Sequence, residues 1–179
     1  TLNGDSISLD GSGATVDGSK ITITSAGIYR ITGNLNDGQI IVDAGDNDKV
    51  KLILNGVDIK CSNSAPIYVV NADKTVIDLK DGSNNTITDG ENYVFEDTSS
   101  EESNSAIYSK DDLTISGNGT LTVNGNYNNG IVSKDDLKIT GGNITVTAVN
   151  NGIKGKDSVR IKDGNIKVTA GGDGIKTNN

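Results

Sequence analysis

A repeat governs this chain. The run from Ala106 to Gly117, Ala-Ile-Tyr-Ser-Lys-Asp-Asp-Leu-Thr-Ile-Ser-Gly, returns at 130–141 as Gly-Ile-Val-Ser-Lys-Asp-Asp-Leu-Lys-Ile-Thr-Gly. It returns again at 152–163 as Gly-Ile-Lys-Gly-Lys-Asp-Ser-Val-Arg-Ile-Lys-Asp. The anchors Ile107, Ile131, Ile153 and Ile175 recur at intervals of 24, 22 and 22 residues. A fixed period of this length is the mark of a solenoid, in which one supersecondary unit buries its apolar face against the next.

Inside each unit, apolar and polar residues alternate in short runs (Leu113-Thr-Ile, Leu121-Thr-Val; Leu137-Lys-Ile, Ile144-Thr-Val; Val159-Arg-Ile, Ile166-Lys-Val), separated by Gly, Asn and Asp. Alternation with period two describes a strand with one buried face, and no run is long enough for a helix. Each unit has room for about three strands, which pair rung to rung. The expectation is an all-β, right-handed parallel β-helix of about 22–24 residues per coil in the C-terminal half. A leucine-rich repeat would carry leucines around a fixed Asn, and a propeller blade needs roughly 40 residues.

A chain of 179 residues reads as one domain, 1–179, because each coil of a solenoid packs only on its neighbours. The composition, with 23 Gly, one Pro and one Phe, suits many tight turns around an aliphatic core. The formal charge of −8 opposes binding to nucleic acid or anionic lipid, so a polyanionic partner calls for a bridging cation. Cys61 has no second cysteine to pair with. No signal peptide or membrane span is visible; the chain starts without Met and stops inside a unit, as a processed or truncated piece would.

Residues 1–36 read as the first coils and a cap, with turn signals at Asp10-Gly, Asp17-Gly and Asn36-Asp-Gly. Two looser coils follow, built from the runs at Gln39, Val50 and Val57 and then at Ile67, Val76 and Thr86. An acidic, Ser-rich insertion at 89–105 interrupts the period and holds the only Phe. Insertions of this kind lie on one face of a solenoid, as functional loops or as plain solvated surface.

Three columns arise from stacking the repeats. In the first, Asp111-Asp112, Asp135-Asp136 and Asp157 occupy equivalent places, preceded by Asp73 and Asp48. Carboxylates stacked about 5 Å apart repel by about 3 kcal/mol at an effective dielectric of 20. Calcium, which takes six to eight hard oxygen ligands, would neutralise them. Lys110, Lys134 and Lys156 offer the alternative neutralisation, with the acids serving as turn caps. Asp43, Asp46 and Asp48 lack the EF-hand spacing and read as a turn.

The second column, Asn129-Gly130, Asn151-Gly152 and Asp173-Gly174, reads as turns with positive φ whose amides bond along the axis. The third lies one residue after the anchor isoleucines: Tyr68, Tyr108, Val132, Lys154 and Lys176. If the isoleucines point inward, these point outward. Tyr68 and Tyr108 could stack on sugars, and Lys154 and Lys176 could meet carboxylates or hydroxyls; ordinary surface decoration is the alternative.

No His is present, which excludes His-based acid–base chemistry and His-built zinc sites. No phosphate-binding glycine loop precedes a helix. β-Elimination of a uronate needs a cation and a basic Lys or Arg, and nothing singles out one base among Lys154, Lys156 and Lys176.

Several stretches, taken together, resemble a known family: 25–44, beginning Ser25-Ala-Gly-Ile-Tyr-Arg-Ile-Thr-Gly-Asn; Lys49-Val-Lys-Leu-Ile-Leu-Asn-Gly-Val-Asp-Ile; Asn84-Asn-Thr-Ile-Thr-Asp-Gly; Ser133-Lys-Asp-Asp-Leu; and Gly172-Asp-Gly-Ile-Lys. They are similar to the bacterial carbohydrate-binding β-helix proteins of clostridial type. The resemblance implies secretion, binding of cellulose and pectin-like acid sugars, bound calcium, and a distant relation to family 9 pectate lyases. The chain stops earlier than that family does.

The sequence is therefore read as an extracellular, secreted or cell-surface protein that binds polysaccharide (cellulose, polygalacturonate) without cleaving it, with calcium as its cofactor and neither nucleic acid nor membrane as partner. Metal is expected at Asp111, Asp112, Asp135, Asp136 and Asp157, and sugar at Tyr68, Tyr108, Lys154 and Lys176. A calcium-dependent pectate lyase and a structural surface spacer stay open as alternatives.

Overall fold

The computed structural model describes residues 1–95 and 103–178. Among them every regular element is a strand, and the strands wind into about six coils of a parallel β-helix. After β1 (Leu2–Gly4) and β2 (Ala14–Asp17), coil one is β3 (Lys20–Ile23) and β4 (Gly27–Leu35). Coil two is β5 (Gln39–Asp43) and β6 (Lys49–Cys61); coil three is β7 (Ile67–Asn71), β8 (Lys74–Leu79) and β9 (Asn84–Asp89). Coil four is β10 (Ser105–Ser109), β11 (Asp112–Gly117) and β12 (Thr120–Gly125). Coil five is β13 (Asn129–Ser133) and β14 (Asp136–Ala148), coil six is β15 (Ile153–Gly155) and β16 (Ser158–Ala170), and β17 (Ile175–Thr177) follows. None of the described elements is a helix long and apolar enough to cross a membrane.

The coil has three faces. The first is the sheet that runs from β3 through β5, β7, β10, β13 and β15 to β17. The second holds β8, β11 and the first halves of the long strands; the third holds β9, β12 and their second halves. Ile40, Ile67, Ile107, Ile131 and Ile153 are in register and fully buried, so the anchor isoleucines form one axial column of the core. Each contributes about 1.5–3 kcal/mol by leaving water.

The strands do not all break where the alternation predicts. Leu137-Lys-Ile and Ile144-Thr-Val lie on one continuous β14, and β6 and β16 likewise pass from the second face to the third. The corner between those faces is instead turned by glycines: Gly56, Gly142 and Gly164 have φ of 73°, 95° and 112°. Their lack of a Cβ allows the left-handed backbone that bends a strand without ending it.

The N-terminal segment departs from the coil. β2 and β3 form an antiparallel hairpin, with Gly18 in the turn at φ 58°, whereas β1 lies parallel to β4 and buries Leu2. The first rung is thus bordered by strands of mixed pairing. Of the acidic insertion, residues 96–102 lie outside the described residues. Its stem is described: Val94 donates its N–H to the Asn63 carbonyl at 2.9 Å, and Tyr93 donates its hydroxyl to Asp89 at 2.6 Å.

Candidate functional site

The acidic column sits at the first corner, where the chain leaves the first face for the second. Pairing of Lys49 with Lys74, Lys74 with Asp112, Leu113 with Leu137 and Asp136 with Ser158 sets Asp48, Asp73, Asp111, Asp135 and Asp157 at one corner position on successive rungs. Asp112 and Asp136 begin the adjoining row on the second face.

Several of these acids are tied into the ladder. Asp111 accepts the Ala72 N–H at 3.0 Å, Asp112 accepts the Asp136 N–H at 3.3 Å, and Asp136 accepts the Ser158 hydroxyl at 2.6 Å. Serines cross-link the corner: Ser109 and Ser133 both donate their hydroxyls to the Asp111 carbonyl, at 2.7 and 2.9 Å. Asp73 faces Lys49 at 3.8 Å. At the earlier loop, Asp48 accepts the Gly45 N–H at 3.0 Å and Asp46 the Asn71 amide at 2.8 Å, so that segment is a turn closed by its own hydrogen bonds.

Asp135 shows what the stacking costs. Desolvation, then the charges of Asp157, Asp112 and Asp111, push its carboxyl above the ordinary aspartate value, while Lys156 opposes them. The donor chemistry, all carboxylate and carbonyl oxygen, fits a hard cation. As the side chains stand among the described residues, no three acids converge into a cage.

The stripe of Tyr68, Tyr108, Val132, Lys154 and Lys176 is also in register, but two of its five residues are not surface. Tyr108 is 1 % exposed and Val132 3 %; they pack with Ala65 and Tyr68 in a small cluster outside the sheet. Pointing away from the core did not mean reaching solvent, so Tyr108 is corrected from a stacking plane to a packing residue. Its ring meets Tyr68 edge-on at 5.6 Å, and Lys110 Nζ lies 6.0 Å from the Tyr68 centroid. Lys154 and Lys176 are half-buried, and Lys176 is paired with Asp173 at 2.9 Å.

The asparagine column is structural. Asn151 donates its N–H and its amide to Asn129 Oδ1 at 3.1 and 2.9 Å, Asp173 donates its N–H to Asn151 Oδ1 at 3.2 Å, and Asn129 reaches Asn104 Oδ1 at 3.1 Å. The glycines that follow are not in positive φ, contrary to the expectation. Gly130 and Gly152 are required by close approach: a β-carbon there would strike the side chains of Val146 and Val168.

Two features escaped the sequence reading. Tyr127 stacks on Tyr93 at 4.1 Å and 13°, with Phe95 edge-on to Tyr127 at 6.4 Å. The cluster is anchored by buried Asp89, which accepts the N–H of Asn126 and of Tyr127; burial raises the carboxyl of Asp89 and the phenol of Tyr93. A signal existed, because the 24-residue step between Ile107 and Ile131 exceeds the next by two residues. The registers put one extra residue at the Asn118-Gly119 corner and one beside Tyr127.

The other is the third face. Over coils three to five its outward rows read Asn84, Thr120, Asn143; Thr86, Thr122, Thr145; and Thr88, Asn124, Thr147, with no charged side chain among them. At its edge lies a groove of about 410 Å³ lined by Asn118, Gly141, Gly142, Asn143, Asp163, Gly164 and Asn165. Threonine is a common strand residue, but a surface of hydroxyls and amides also offers donors and acceptors without charge.

Comparison with known proteins gives three findings. The family described as carbohydrate-binding domain-containing protein matches residues 17–179. A carbohydrate-binding domain-containing protein of Acetivibrio thermocellus is 52 % identical over 136 residues, 76 % of this chain and 48 % of the relative. The chain thus spans about half the length of the curated relative it matches. A solved structure of a polysaccharide lyase-like protein from C. thermocellum, a gadolinium derivative, superposes with a TM-score of 0.96 at 52 % identity, over 98 % of this chain and 71 % of that one.

Proposed function

Because the chain belongs to the family of carbohydrate-binding domain-containing proteins, we propose that it binds plant cell-wall polysaccharides outside the cell without cleaving them. Neutral cellulose would lie on the third face over coils three to five, where the outward rows carry no charge, and pectin-like acid sugars at the first corner with calcium as the bridge. The observation that carries this reading is axial. Equivalent positions stack in register on successive rungs, and over coils three to five the outward rows of the third face are all Thr or Asn, so a polymer parallel to the axis meets hydroxyl or amide groups about every 4.8 Å, close to the length of one pyranose.

Asp111, Asp112, Asp135, Asp136 and Asp157 would hold the calcium, which when bound supplies charge and open positions for a uronate carboxylate. The Asp135 carboxyl, raised first by desolvation and then by the charges of Asp157, Asp112 and Asp111, is consistent with the reading, since a bound cation would offset those neighbouring charges. Tyr68, Lys154 and Lys176 remain the sugar contacts of the first face.

Isotherms with polygalacturonate and with cellulose, with and without chelator, at a temperature where the metal-free protein is folded, test the proposal. Acid-sugar binding should fall on chelation and cellulose binding should not. Undiminished polygalacturonate binding would remove the bridge, and retention of neither polymer would leave the spacer. The likeness to a polysaccharide lyase-like protein favours a second reading, calcium-dependent lyase; accumulation of unsaturated uronate from polygalacturonate would establish it.

A further inference from the structure

The second face carries a cluster of cations that the protein's own acids do not neutralise. Lys138 on β14 and Arg160 on β16 are direct cross-strand partners. The next outward residue of β16, Lys162, is the extra residue of a bulge, because Ile139 pairs with Ile161 and Thr140 with Asp163. The charge of Lys162, then desolvation and more weakly the charges of Lys74 and Arg160, lower the Lys138 ammonium below the ordinary lysine value. Like charges set directly opposite one another in a sheet destabilise it.

The chain could relieve the repulsion from its own excess of acid, with a net charge of −8, and does so elsewhere. Lys49, Lys51, Lys60 and Lys176 each pair with an aspartate. Among the described residues Lys138, Arg160 and Lys162 form no such pair. Among nearby acids, Asp136 accepts from Ser158, Asp112 from Asp136 N–H and Asp163 from Gly164 N–H.

We propose that Lys138, Arg160 and Lys162 form the direct contact for the carboxylate of a uronate residue in an acidic polysaccharide lying along the second face. This rests on the polysaccharide-binding reading above and adds a contact that needs no metal. A guanidinium offers a planar fork to a carboxylate, and two ammonium groups beside it complete the shell. Asp136 begins the same face two residues before Lys138 on β14, and Asp157 stands at the first corner three residues before Arg160. Cation-bridged and direct carboxylate contacts would then alternate across it. A nucleic acid suits the patch poorly, since its dense phosphates would meet the aspartate row as well.

Lys138→Gln/Arg160→Gln/Lys162→Gln tests this, with Lys154→Gln/Lys176→Gln as the comparison. Binding of polygalacturonate, of a sulfated glycan without uronate, and of cellulose is measured in chelator at several salt concentrations. The parent should bind polygalacturonate in a salt-dependent manner, and the triple variant about tenfold or more weaker, the scale of one charge-assisted contact. Cellulose binding should stay within about twofold, and the melting temperature should hold or rise as like charges are removed. Unchanged polygalacturonate affinity, equal loss of cellulose, a larger loss from the Lys154/Lys176 variant, or preference for the sulfated glycan each overturns the assignment. If the parent retains cellulose but not polygalacturonate, this contact fails and the binding reading stands; if it retains no polymer, the binding reading itself has failed.

Discussion

Ile131→Ala probes the axial core most directly. Ile131 is fully buried and stands between Ile107 and Ile153 in the first-face column. Truncation removes three carbons, about 0.8 kcal/mol each in transfer. The walls on both sides are neighbouring rungs that hold the same residue, so the hole cannot close without shifting backbone ladders. Adding a cavity contribution gives about 3–4 kcal/mol, within the span measured for buried Ile or Leu to Ala. At roughly 2–4 °C per kcal/mol for a chain of this size, the melting temperature should fall by roughly 6–16 °C. The matched control is Ile175→Ala, the same register position on β17, where the side chain is 48 % exposed; half the burial and no closed cavity imply about 1 kcal/mol. Urea titrations of both variants, followed by far-ultraviolet circular dichroism, make the comparison. Because solenoids can unfold rung by rung, the transition must be checked for a single step before midpoints are converted. Equal losses at the two positions would refute the columnar account of stability.

Asp135→Asn should flatten the acid side of the stability profile. Its folded carboxyl is raised above the unfolded value, so the fold binds the extra proton; that contribution is complete below the unfolded pKa and is lost as pH rises through the folded one. In chelator, urea midpoints between pH 3 and 7 should therefore fall less with rising pH in the variant, and an unchanged slope would deny the repulsion. Asn151→Ala removes the acceptor for Asp173 N–H and the donor to Asn129, and should cost about 1–3 kcal/mol by leaving buried polar groups unpaired; a melt within 1 °C of the parent would contradict the ladder. Tyr108→Ala should destabilise by about 3 kcal/mol or more whereas Tyr68→Ala should weaken sugar binding more than it lowers the melt, and the reverse ordering in calorimetry would restore Tyr108 as a surface contact.

The period of the anchor isoleucines and the two-residue alternation determined the solenoid, because only stacked rungs bury an apolar face so short and so regularly repeated. They also determined which residues share a column: register follows from the repeat, and Asp111, Asp135 and Asp157 come into line wherever the isoleucines do. What a column faces is another matter. Tyr108 and Lys154 hold equivalent places, yet the first packs with Ala65, Tyr68 and Val132 while the second stays half-buried, since cover depends on which side chains meet outside the sheet. The same limit hid Tyr93 against Tyr127, 34 residues apart in sequence. It also hid the meeting of Lys138 with Lys162, which depends on a bulge that slips the pairing by one residue. Repetition writes the axial order into the sequence; lateral contacts between irregular segments are decided only when the chain closes around its core.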